Sequence, residues 1–150
     1  MNYFEQVLQN QILINAVIGW FCAQVLKTIT HLIVYKKLVL ERLIGDGGMP
    51  SAHSATVCAL ATTIFINVGP ASTEFAIAAI LAIIVMHDAC GVRLETGKQA
   101  QILNEMMEIF ESMSNTSLTT EEKLKEFVGH TKLQVFMGAL LGIGIAILLG

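Results

Sequence analysis

Three features of this 150-residue chain predict an all-α fold that spans a membrane. Hydrophobic residues make up 54% and charged residues only 14%, against about 25% charged in soluble domains. Mean hydropathy is +0.65. The uncharged runs are as long as helical spans and too long for barrel strands, and a backbone in lipid has only helix or closed barrel open to it. The length suits one domain, residues 1–150. The chain is too apolar for intrinsic disorder. A formal charge of −3 and a pI near 5.7 argue against a nucleic-acid partner.

The fold read from these runs is an integral membrane bundle of four transmembrane helices, with amphipathic helices between the third and fourth. The first span, about 10–35, is uncharged from Gln6 to Leu26, is interrupted by Lys27 and resumes to Tyr35. No basic residue precedes it and no small-residue cleavage site follows, so it reads as an uncleaved anchor. The second, about 51–69, carries His53 near its start. The third, about 72–94, is uncharged from after Glu74 to His87, too short a run to span alone, and is extended through Asp88 towards Arg93. The fourth, about 132–149, has no charge from Leu133 onward.

The intervening polar segment, about 95–131, starts with a helical spacing of Ile102, Leu103, Met106, Ile109, Phe110 and Met113. Ser112 to Thr120 reads as a loop. Thr119-Thr120-Glu121-Glu122 then reads as a helix start, with Leu124, Phe127 and Val128 on one face.

Basic residues set the orientation. Lys36, Lys37 and Arg42 lie between the first two spans, and Arg93, Lys98, Lys123, Lys125 and Lys132 between the last two. The termini and the 69–74 turn have none. The expected arrangement is multi-pass, in a bacterial cytoplasmic membrane, with polar loops cytoplasmic and both termini outside. Cys22, Cys58 and Cys90 form no CxxC and read as free thiols.

Three polar clusters fall on the expected cytoplasmic side. In Gly47-Gly48-Met49-Pro50-Ser51-Ala52-His53, two glycines and a proline precede an apolar helix. Ser51 is a natural N-cap. The first-turn amides favour an anion, and His53 can deliver a proton to it. In His87-Asp88-Ala89-Cys90-Gly91-Val92-Arg93, followed by Gly97-Lys98, Arg93 either clamps a phosphate or pairs with Asp88. Gly91 and Gly97 allow close backbone approach. In Gly129-His130-Thr131-Lys132-Leu133-Gln134, His130 and Gln134 share a helical face. A His oriented through its second nitrogen is a recurring nucleophile. Lys27, in the first span, either snorkels to the interface or meets an anion inside the bundle. No HxxxH or HExxH suggests a metal, and GxSxG and P-loop patterns are absent.

On these residues the chain resembles the type-2 phosphatidic-acid phosphatase superfamily, which includes the vanadium-dependent haloperoxidases, and more closely its short divergent branch. The superfamily's Pro-Ser-Gly-His reads here Pro50-Ser51-Ala52-His53. The resemblance implies that Ser51 and the Ala52 amide hold phosphate, that His53 protonates the leaving oxygen, and that His130 is a nucleophile forming a phosphohistidine. Gly48, Pro50, Asp88, Gly91 and Gly97 would shape the site. It implies no metal and no cofactor.

Three departures stand beside it. The Lys and Arg-Pro of the first motif are absent, with Lys27 and Arg42 as stand-ins. Leu124 occupies the third motif's Arg position, which leaves Arg93 to replace it. Gln134 stands where the orienting carboxylate belongs, so it accepts from the imidazole but lends no charge.

The reading is therefore a membrane-embedded phosphatase, hydrolysing the phosphomonoester or diphosphate of a lipid or an isoprenoid among membrane lipids. Its rivals are a phosphate-lipid binder without catalysis and a structural bundle subunit. Gly138 and Gly142 offer a small-residue face, either to the bundle or to a homo-oligomer. A transporter is disfavoured by the absence of an inverted repeat.

Overall fold

The computed structural model describes residues 2–36, 48–114, 124 and 129–150. Among these the chain is entirely helical: α1 (Tyr3–Leu8), α2 (Gln11–Tyr35), α3 (Ala52–Asn67), α4 (Thr73–Cys90), α5 (Val92–Ser114) and α6 (Lys132–Leu149). The expected helix after Thr120, and Gly47, Lys37, Arg42, Lys123 and Lys125, lie outside the described residues.

Helices α2, α3, α4 and α6 each start where a polar side chain takes a free amide. Asn10 accepts from the Leu13 N–H at 3.1 Å, and Ser72 accepts from the Phe75 N–H at 3.1 Å. Ser51 caps α3 as its position suggested, accepting from the Ser54 N–H. Thr131 and Gln134 form a reciprocal capping box at the start of α6.

Three helices are long and apolar enough to cross a membrane: Gln11–Ile33, the helix starting at Thr73, and Lys132–Leu149. The fourth apolar helix, α3, has 16 residues. It is the central one and packs against α2, α4 and α6.

Small residues make these approaches close. Gly19 of α2 faces the Ala55 carbonyl and Ala59. Gly138 and Gly142 of α6 lie against the α3 backbone at Ser51 and Ala55, with no room for a Cβ. The glycine face of α6 is thus covered inside the same chain.

Large apolar side chains point outward instead. Trp20, Phe21, Ile77, Ile80, Ile83, Ile84, Leu133, Phe136 and Ile147 are exposed, while Ala23, Ala55, Ala59 and Ala146 are fully buried. An apolar exterior around a small-residue interior is how a bundle meets lipid. Asn15, a buried polar residue, donates to Thr63 Oγ1 at 3.2 Å, joining the start of α2 to the end of α3.

α4 stops at Cys90, short of the expected Leu94. Gly91 breaks the helix at φ −111, ψ −92, and Arg93 falls in the first turn of α5. α5 buries Gly97, Ala100 and Asn104 and exposes Ile102, Leu103, Met106, Ile109, Phe110 and Met113. Asn104 holds both backbone groups of Leu124, each at 3.0 Å.

Candidate active site

The three polar clusters meet at one end of the bundle. Main-chain hydrogen bonds draw them together. The Ser51 N–H donates to the Gln134 carbonyl at 3.0 Å, which fixes the start of α3 to the first turn of α6. The His130 N–H donates to the Ala89 carbonyl at 3.0 Å, which fixes the entry to α6 to the end of α4. Gly129 lies hard against the backbone of Arg93 and Leu94, so α5 starts beside it.

His130 is buried at 3% exposure. Its Nδ1 lies 3.3 Å from Gln134 Oε1, which also accepts from the Thr131 N–H at 3.0 Å. A carboxamide oxygen only accepts, so in this bond Nδ1 is the donor. The His53 ring stands edge-on to that of His130, with centroids 6.2 Å apart.

Ser51 and Ser54 are fully buried at the start of α3, with hydroxyls 3.1 Å apart. The first turn of α3 brings the Ala52 amide and the positive end of the helix dipole here. Lys27 is buried at 3% exposure, with its stem against Gly48. Gly48 has φ +88, a backbone conformation open to glycine, and a Cβ there would lie 2.9 Å from the Lys27 stem. Thr30 holds the same loop, its hydroxyl reaching the Lys27 carbonyl at 2.9 Å and the Met49 carbonyl at 3.0 Å. Pro50 is buried between them.

The structure thus joins His53, His130, Gln134, Ser51 and Ala52 in one assembly, with Gly48 and Pro50 on the loop that packs against the Lys27 stem of α2. Arg93 and Asp88 take the other course that the sequence left open. Arg93 Nε bonds Asp88 Oδ2 at 2.6 Å across the Gly91 break, both side chains being about 40% exposed. A half-exposed pair of this kind holds the α4–α5 corner and leaves the rest of the guanidinium fork open. Gly97 is buried on α5.

Among the described residues, four buried polar residues escaped the sequence reading: Asn15, Thr63, Gln24 and Asn104, the last two 5% exposed. Gln24 had a legible signal, since it is a polar side chain within an apolar span, one turn from Lys27. Cys22, Cys58 and Cys90 are free.

A lipid-facing helical bundle whose polar side chains gather at one end defines an integral membrane protein. This is the setting in which the comparisons fall. The chain belongs to the Divergent PAP2 family, whose model matches residues 8–145. It is also 37% identical over 152 residues to "Uncharacterized membrane protein YuiD" of Bacillus subtilis (strain 168), covering 96% of each chain. No solved structure gives a significant match.

Proposed function

We propose that the protein is a membrane-embedded phosphatase acting on a lipid or isoprenoid phosphate. The observation that carries this reading is the state of His130. It is buried, its Nδ1 lies 3.3 Å from Gln134 Oε1, and its ring stands beside that of His53.

In the proposed reaction the Nε2 of His130 attacks phosphorus in line. The P–O bond to the lipid breaks as His53 hands its proton to the departing oxygen. Water then attacks the phosphohistidine, giving its proton to His53 and releasing phosphate from His130. Lys27, Ser51, the Ala52 amide and the α3 dipole neutralise the equatorial oxygens, with the outward edge of Arg93 beside them. Arg42 is the further cation suggested by the motif. No step calls for a metal or another cofactor.

The membrane setting extends the proposal. Four spans, α3 included, place the basic connections on the cytoplasmic side of a bacterial membrane and both termini outside. Substrate reaches the site from the cytoplasmic leaflet.

Phosphate release in detergent from a panel of lipid and isoprenoid phosphates tests the reading. Wild type is expected to release phosphate and to form an acid-labile phosphohistidine, and His130→Ala to do neither. Equal release by both would remove His130 as nucleophile. One observation favours a second reading, a phosphate-lipid binder without turnover: Gln134 offers no charge to an imidazolium. Binding of the panel without phosphate release by wild type would select it.

A further inference from the structure

A polar atom shut inside a helix bundle without a hydrogen bond is unfavourable and calls for an explanation. Gln24 carries such an atom. Its side chain is 5% exposed, and Oε1 has no hydrogen-bond partner among the described residues.

Its position is as informative as its isolation. Ala23, the residue before it, packs against Ala52 and Ala55 at the start of α3. Lys27, one turn further along the same side of α2, lies against Gly48. Gln24 therefore sits at the depth of the α3 N-terminus, and none of the roles proposed above uses it.

We propose that Gln24 binds the substrate, its carboxamide oxygen accepting a hydrogen bond from the P–OH of a singly protonated phosphomonoester. The inference rests on the phosphate-site reading and narrows its substrate class. The groups assigned to the anionic oxygens are donors: the Lys27 ammonium, the Ser51 hydroxyl and the first-turn amides. An acceptor among them repels a bare phosphate oxygen and attracts one that bears a proton. A phosphomonoester, or the terminal phosphate of a diphosphate, offers that proton. A phosphodiester does not. Gln24 thus separates the cleavable monoester from the abundant diester headgroups of the bilayer.

The test is calorimetric binding to the full chain in detergent at pH 6, where about half of a phosphomonoester carries one proton. The probes are a monoalkyl phosphate, the matching dialkyl phosphate and inorganic phosphate. Wild type is expected to prefer the monoalkyl to the dialkyl phosphate by about tenfold. Gln24→Met removes the acceptor at similar length. It is expected to lose that preference and to melt no lower than wild type, since an unsatisfied polar atom has gone. Gln24→Glu keeps the acceptor and is expected to keep the preference, because the two singly charged ligands feel its added charge alike.

Monoalkyl phosphate bound more tightly than inorganic phosphate identifies a lipid as the source of the P–OH. Equal affinity identifies free phosphate, and either supports the assignment. A Gln24→Met protein with wild-type preference, or one that melts well below wild type and loses all ligands equally, overturns it. So does a Gln24→Glu protein without preference. Wild type that binds none of the three overturns the phosphate site itself, and Gln24's role with it.

Discussion

In the proposed reaction His130 attacks through the ring nitrogen that lacks a proton, and one amide, that of Gln134, faces the other nitrogen. Gln134 Oε1 receives the Nδ1 proton while the capping box holds the amide still. It supplies direction without charge. A hydrogen bond to a charged group is worth about 1 kcal/mol more than a neutral one, or roughly fivefold in rate. Gln134→Glu is accordingly expected to raise turnover by about that factor, read from steady-state phosphate release. Gln134→Leu is expected to lower it below wild type. At Gly48, a Cβ would meet the Lys27 stem and strain a positive φ. Gly48→Ala is expected to weaken phosphate binding several-fold through Lys27, a change that titration calorimetry resolves. His53, Ser51 and His130 were legible in the sequence because each sits at a helix start beside glycine or proline. Gln24 was not singled out, because a lone amide in an apolar run looks the same from sequence whether or not it is bonded.

At the scale of elements, tolerance on α6 is set by which neighbour a position faces. Gly142 lies against the α3 backbone, and Gly144 has nothing within 4 Å. Gly142→Leu is expected to destabilise the bundle by about 1–3 kcal/mol or more, and Gly144→Leu to be nearly silent. Thermal melting of both variants in detergent makes the comparison. On α5, Asn104→Ala removes two hydrogen bonds from Leu124. It is expected to lower amide protection around residue 124 in hydrogen exchange and to leave the α2, α3 and α6 signals unchanged. The apolar runs announced the helices well, since Asn10, Ser51, Ser72 and Thr131 are all N-caps. Span length argued for carrying the third helix through Asp88 towards Arg93, and α4 passes Asp88 to end at Cys90, where Gly91 breaks the helix and the Arg93–Asp88 pair closes the corner. The pairing of α6 with α3 through Gly138 and Gly142 was one of two readings, because small residues show that a close neighbour exists without naming it.

For the whole molecule, the directions of the helices sort its connections. The end of α2, the starts of α3 and α6 and the end of α4 gather at the His130 end, while the Gly69–Ser72 turn and Gly150, beside Ile66 of α3, lie at the other. The proposed sidedness can be tested at one position on each side. In a variant with its native cysteines replaced, Lys98→Cys is expected to react with an impermeant maleimide only after the membrane is opened. Ala71→Cys is expected to react in intact cells, and the reverse pattern would invert the topology. The two main-chain bonds at the site, Ser51 to Gln134 and His130 to Ala89, have a consequence for how such a protein can change. They use atoms that every residue except proline possesses. At positions 51, 89, 130 and 134 the meeting of three helices therefore does not depend on the side chain present, whereas Gly129, Gly138 and Gly142 leave no room for one. An acid can give way to an amide at position 134, and the scaffold still delivers the side chain that replaces it to the same point. A fold held this way can lose the letters of a motif and keep its address.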